Sequence, residues 1–155
     1  MKTRMILAKV LGLVAVVAAG AFGYMSYQNN HAPELGVSQG RLKPLPDKPN
    51  CISSQTDQPG KKVAPLPFKA TPQETLAALK KAIEEYGQEQ ILEQTQDYLH
   101  VVFSSPTIGF RDDVEFWLDQ PNQVVQVRSA SRVGYSDMGV NRQRYEAISK
   151  LYQAL

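Results

Sequence analysis

The chain holds one cysteine, two histidines and one tryptophan in 155 residues. A lone Cys51 cannot close an internal disulfide. His31 and His100, with a single thiol, supply no zinc-ligand spacing, and no metal or other cofactor is expected. No glycine-rich phosphate loop occurs. An excess of one charge is lacking too. The formal net charge is +2, and Lys2, Arg4 and Lys9 precede or enter the first apolar run. Of the 17 basic residues these three leave 14, against 15 acidic ones. A near-neutral remainder lacks the basic surface that nucleic acid requires, so no nucleic-acid partner is expected.

What is present begins with an apolar run from Ile6 to Met25, in which Lys9 is the one charge. About 20 such residues cross a bilayer core as a helix. Residues 1–27 therefore read as a membrane anchor, with Tyr24 and Tyr27 suited to the interface. The cations before and within the run place the N-terminus in the cytoplasm and the soluble domain on the periplasmic or equivalent external side. The competing reading is a cleaved signal peptide, with Ala19-Gly20-Ala21 as its cleavage site. Ala19 and Gly23 also form a small-xxx-small pair that would permit helix pairing.

Residues 28–67 carry seven of the ten prolines and no hydrophobic period, which predicts an irregular Pro-rich arm. Leu35, Val37, Leu42, Leu45, Ile52 and Val63 are spaced to dock part of it onto a body. Residues 68–155 read as that body. Thr71-Pro72-Gln73-Glu74 is a capping box with proline at the first helical position. Leu76, Leu79, Ile83 and Tyr86 form a helical stripe, and Gly87 fits a C-cap. Residues 90–94 and 98–104 read as a hairpin. Residues 108–118 alternate, with Phe110, Val114, Phe116 and Leu118 inward and Arg111, Asp113, Glu115 and Trp117 outward. A turn over 119–122 sets a register in which Phe116 opposes Val125, Trp117 opposes Val124 and Asp113 opposes Arg128. A last helix over 138–152 puts Val140, Arg144, Ala147, Ile148 and Leu151 on one face. The fold class is α+β: a four-stranded antiparallel meander with two helices on one face, preceded by a transmembrane helix and the arm.

Candidate chemistry centres on the stretch from Arg128 to Arg142. Arg128 and Arg132 share a strand face. Arg142 falls in the first turns of a helix, where the macrodipole disfavours a cation, so something negative should compensate. A bound anion on the helix N–H groups would do so. The alternative is an internal ion-pair network, with Asp113 on Arg128, Asp137 capping the helix and Asp112 or Glu115 on Arg142. Asp113 and Glu115 share a face and could chelate, but the neighbouring cations argue against a metal. Cys51 is the one candidate nucleophile, with His100 as its base. Trp117 reads as a cross-strand contact or a platform for a ligand.

Three segments together carry a family resemblance. They are Leu35-Gly-Val-Ser-Gln-Gly-Arg41-Leu with Pro-Asp-Lys-Pro-Asn50-Cys51-Ile-Ser-Ser-Gln55, Asp112-Asp113-Val-Glu115-Phe, and Arg128-Ser-Ala-Ser-Arg132-Val-Gly-Tyr-Ser-Asp137 through Gly139-Val-Asn141-Arg142. Over residues 35–154 the chain resembles the domain of unknown function 1499 family, found in bacteria and photosynthetic organisms. The resemblance implies no activity. Members commonly read Cys-Pro-x-x-Pro-Asn-Cys in the arm, whereas Leu45 stands here at the first position, which weakens a dithiol, metal or disulfide role. The resemblance also implies that the arm near Asn50–Gln55 is ordered beside the arginine segment. Arg41, Asn50, Ser53, Arg128, Arg132 and Asn141 would then converge on one pocket, with Arg142 nearby.

Three functions follow. The first is a membrane-anchored, externally facing binding module for an anionic small molecule, a lipid head group or a partner protein. The second is a hydrolase or transferase using Cys51 or a carboxylate. The third is a structural accessory protein of an envelope complex.

Overall fold

A computed structural model of the protein describes residues 2–155, apart from the side chains of residues 2–5 and 8. The chain divides into two compact units, Met1–Ala32 and Pro33–Leu155. The first is a single helix, α1 (Lys2–Asn30). Its segment Lys9–Asn30, 22 residues, is long and apolar enough to cross a membrane. The helix runs three residues beyond the expected end at Tyr27, whose carbonyl accepts from the backbone N–H of His31. The side chains of Lys2 and Arg4 lie outside the described residues.

In the second unit the arm supplies four short strands, β1 (Val37–Ser38), β2 (Arg41–Leu42), β3 (Cys51–Ser53) and β4 (Leu66–Pro67). Then come α2 (Pro72–Tyr86), β5 (Glu89–Gln94), β6 (Tyr98–Ser104), β7 (Arg111–Asp119), β8 (Val124–Ser131) and α3 (Val140–Ala154). The meander β5 to β8 forms as expected, but the sheet is six-stranded. Its order is β3-β8-β7-β6-β5, with β4 also on the β8 edge, and every pairing is antiparallel. β1 and β2 make a separate hairpin. The extra strands are two or three residues long, so they carry no period that a sequence could display.

Helix α2 starts where the capping chemistry puts it. Thr71 Oγ1 accepts from the Glu74 N–H at 3.1 Å, and Gly87, at φ +83°, ends the helix with its N–H on the Ile83 carbonyl. Both α2 and α3 cover one sheet face. Leu79 and Ile83 meet Ile148 and Tyr152 over Leu99, Val101, Phe103, Val114, Phe116, Val125 and Val127. The arm adds Ile52, Val63 and Leu66 to this core. Of the other expected docking residues, Leu42 is buried, Leu35 and Leu45 are half-buried and Val37 is exposed.

Three expectations need correction. First, β7 begins at Arg111, so Phe110 lies in the preceding turn and is exposed. Second, the turn sits one residue later than predicted, with Asp119 paired to Val124. That moves the register by two. Phe116 opposes Val127, Trp117 opposes Gln126, and Glu115 rather than Asp113 opposes Arg128. The cause is the 3-10 turn Gln120–Asn122 closed by Gln123 in the left-handed region, φ +54°. Each residue keeps its face, because a shift of two preserves the alternation. Third, the inward face of α3 keeps Arg144 and Ile148, with Leu151 packed at its margin, but adds Asn141, Tyr145 and Tyr152 and leaves Val140 exposed. A purely apolar stripe passes over Asn141 and Tyr145, which can be buried because their polar atoms are bonded.

The second sheet face differs most. Asp113, Glu115 and Trp117 were expected to face solvent, yet Asp113 is 1% and Glu115 0% exposed, and Tyr98, His100 and Arg128 are buried with them. The arm covers this face: the Gly36 N–H donates to Glu115 Oε1 at 2.9 Å, and Gly40 lies against the Trp117 ring.

Candidate functional site

The sheet separates two polar clusters. On the arm side Glu115 is saturated, accepting from the Gly36 N–H, from the Tyr98 hydroxyl at 2.9 Å and from Arg128 Nη1 at 3.2 Å. Asp113 takes Arg132 through Nε and Nη2, both at 2.8 Å, and His100 Nε2 stands 2.8 Å from its Oδ1. Burial opposes ionisation of Asp113, but the bonds from Arg132 and His100 outweigh it and hold the carboxyl below the usual carboxylate range. Burial, reinforced by the Glu115 charge, pushes the Tyr98 phenol above its ordinary value, so it remains a donor.

The helix-side cluster is held by α3. Arg144 reaches Asp112 Oδ2 at 2.6 Å and Asn141 Oδ1 at 3.1 Å. Asn141 Oδ1 also accepts from the Ser129 hydroxyl. Its Nδ2 bonds the Asn50 carbonyl at 3.2 Å, Ser131 Oγ at 3.0 Å and Asp137 Oδ2 at 2.8 Å. Asn50 Nδ2 in turn donates to the Gly134 carbonyl at 3.0 Å. Asn141 thus ties together the arm, the end of β8 and the start of α3. Among the described residues Asn50 Oδ1, Arg128 Nε and Arg144 Nε are buried without a hydrogen-bond partner.

The expected convergence on one pocket does not occur. Arg128 and Arg132 belong to the arm-side cluster, while Asn50 and Asn141 meet on the other side of the sheet. Asp113 pairs with Arg132, not Arg128. Asp137 does serve the helix start: its Oδ2 accepts from the Asn141 N–H at 2.8 Å and its Oδ1 from the Gly139 N–H at 3.1 Å. This side chain supplies the negative charge that the macrodipole calls for. Among the described residues Arg142 has no carboxylate partner; its Nη2 donates to the carbonyls of Gly60 and Lys62, each at 3.1 Å.

Two of the expected residues do share a cavity. Arg41 and Ser53 line a pocket of about 290 Å³ with Lys43, Gln55, Thr56 and Asp57. Arg41 Nη2 donates to the Gln55 carbonyl at 2.8 Å and Lys43 Nζ to the Glu34 carbonyl at 3.0 Å. A second pocket of about 250 Å³ holds Cys51, Ser136, Asp137, Met138 and Arg142.

Cys51 does not have the surroundings of a nucleophile. Its thiol is buried and donates to the Lys48 carbonyl at 3.1 Å. Burial pushes the thiol up, against the opposing pull of Lys61 and Arg128. His100 sits three strands away, about 14 Å at the usual strand spacing, and is engaged by Asp113. Gly36-Val-Ser38-Gln-Gly40 spells the G-x-S-x-G pattern. That pattern needs a strand-to-helix turn, and here it is the β1–β2 hairpin. Among the described residues no group of three or more His, Cys, Asp or Glu is placed to hold a metal.

Arg144, Tyr98 and His100 went unrecognised as parts of these networks. The signal for Arg144 was its place in mid-helix on a predicted inward face, where a cation must find a buried partner.

An α+β body with an arm strapped over its sheet, and two buried arginine–carboxylate networks, defines a domain built around internal polar pairing. Residues 41–151 match the family described as "Protein of unknown function (DUF1499)", and the chain belongs to that family. No curated protein and no solved structure matches the chain.

Proposed function

We propose that the chain is a membrane-anchored, externally facing binding module that accepts an anionic group at the Arg41–Lys43 pocket. The observation that carries this is how the cations are partnered. Arg128, Arg132 and Arg144 are each bonded to a buried carboxylate, which neutralises them and makes them fold-forming. Arg41 and Lys43 are exposed and bonded to neutral backbone carbonyls. A cation oriented by a carbonyl keeps its full charge for a ligand. The Ser53 and Thr56 hydroxyls and the Gln55 amide add neutral donors in the same pocket, and among the described residues Asp57 is the one carboxylate lining it. Helix α1 serves as the anchor, with Lys2, Arg4 and Lys9 on the cytoplasmic side. A Cys51 enzyme has less support, since the thiol is buried and lacks a base.

The test is thermal melting of the full chain in nanodiscs against inorganic phosphate and a small dicarboxylate. A ligand bound by the folded state alone raises Tm. The expected result is a rise that disappears in Arg41→Gln/Lys43→Gln while the ligand-free Tm is kept. An unchanged rise in that double variant, or none in the wild type, would refute the pocket.

A further inference from the structure

The two ends of the meander are chemically unlike. At one end the turns are Thr95-Gln96-Asp97 and Gln120-Pro121-Asn122-Gln123, with Pro121 as the one apolar residue. At the other end, two loops leave the adjacent ends of β7 and β8, tied by the bond from the Arg132 N–H to the Arg111 carbonyl. These loops expose Ile108 (69%), Phe110 (40%), Tyr135 (75%) and Met138 (91%). Side chains so exposed add nothing to the core, and apolar groups gathered on neighbouring loops mark a contact surface. Met138 is also held at φ +54°, a region that costs an unbranched side chain energy and that tends to persist where function requires it.

We propose that this loop end rests in the interfacial region of the lipid bilayer. Tyr, Phe, Met and Ile on loop tips suit the zone between head groups and acyl chains, where a ring can bury its body and keep its polar edge wet. The tether favours lipid over other partners. Only His31 and Ala32 lie between the last residue of α1 and the start of the body. Two residues span less than about 10 Å, so a bilayer that holds α1 is within reach of the body at all times. At this end Arg142 donates to the carbonyls of Gly60 and Lys62, and the Asp137 oxygens accept from backbone N–H groups. The contact with lipid is carried by the apolar and aromatic side chains of the two loops.

The inference rests on α1 being a membrane anchor, and its test separates the two. The full chain carrying Trp117→Phe is reconstituted in nanodiscs, and a single reporter is added as Tyr135→Trp, Met138→Trp or Gln96→Trp. Co-elution with the discs reports the anchor. Discs made with lipid brominated near the head group then report insertion. The expected result is loss of emission and a blue shift for Tyr135→Trp and Met138→Trp, with Gln96→Trp unaffected. A chain that co-elutes while neither loop reporter is quenched would overturn the proposal and leave the anchor standing. Equal quenching of Gln96→Trp would overturn it too.

Discussion

Arg132 grips Asp113 with two charge-assisted bonds in a place closed to water, since the two side chains are 4% and 2% exposed. Removing the arginine would strand the carboxylate with His100 alone. Breaking a buried pair from one side costs about 3–5 kcal/mol, and Arg132→Ala should lose that much in urea denaturation. Arg142→Ala removes bonds to two carbonyls at a half-buried site, so about 1 kcal/mol is expected. The same pair sets an acid limit. Asp113 titrates below its ordinary value in the folded state. Its contribution is therefore complete above the unfolded value near 4 and fades as pH falls through the folded value. Asp113→Asn should be less stable than wild type at neutral pH and should show a flatter loss of stability in acid. A parallel loss in both proteins would remove Asp113 from the account. Cys51 provides an independent readout at this scale. Its buried, proton-holding thiol should resist alkylation at pH 8 in the native protein and react once urea unfolds it.

Among the elements, α3 depends on its first turn. Asp137 caps two N–H groups and also holds the Asn141 side chain, which reaches back to the Asn50 carbonyl in the arm. Asp137→Ala should cost about 1–2 kcal/mol as a lost cap, with faster amide exchange at Gly139 and Asn141. Elements with local signals were legible in the sequence. The box at Thr71, the glycine at 87 and the hairpin of 90–94 with 98–104 each predict what is found. The start of α3 was legible only in part, because Asp137 caps from outside the helix while Gly139 occupies the cap position. Strands β3 and β4 were not legible. Their pairing to β8 is decided by residues about 80 and 60 positions away, and strands so short have no pattern of their own. The arm-side cluster was misplaced for a related reason. Charged residues alternating on a strand look solvated, and only the pairing of each with a partner on another strand lets a cover close over them. The candidate site was legible as a set of residue types. The sheet then parted Asn50 and Asn141 from Arg128 and Arg132, a separation that depends on which face each strand turns inward.

At the scale of the whole molecule the arm is part of the fold and not a linker to it. It closes both faces of the sheet at once. Ile52, Val63 and Leu66 enter the helix-side core, and burying each contributes about 1.5–3 kcal/mol. The Gly36 N–H completes the bonds to Glu115 on the other face. A chain lacking residues 1–67 would keep α2, the meander and α3, yet it would uncover apolar core on one side and two buried carboxylates on the other. A chain lacking only residues 1–32 would keep every one of these contacts, since they all lie within Pro33–Leu155. The longer truncation should therefore show no cooperative urea transition and no fixed near-ultraviolet circular dichroism, as expected when packing is lost while secondary structure persists. The shorter one should retain both signals. A cooperative transition in the chain that begins at residue 68 would show that the meander and its two helices are self-sufficient, and that the arm merely lies on a body able to fold without it.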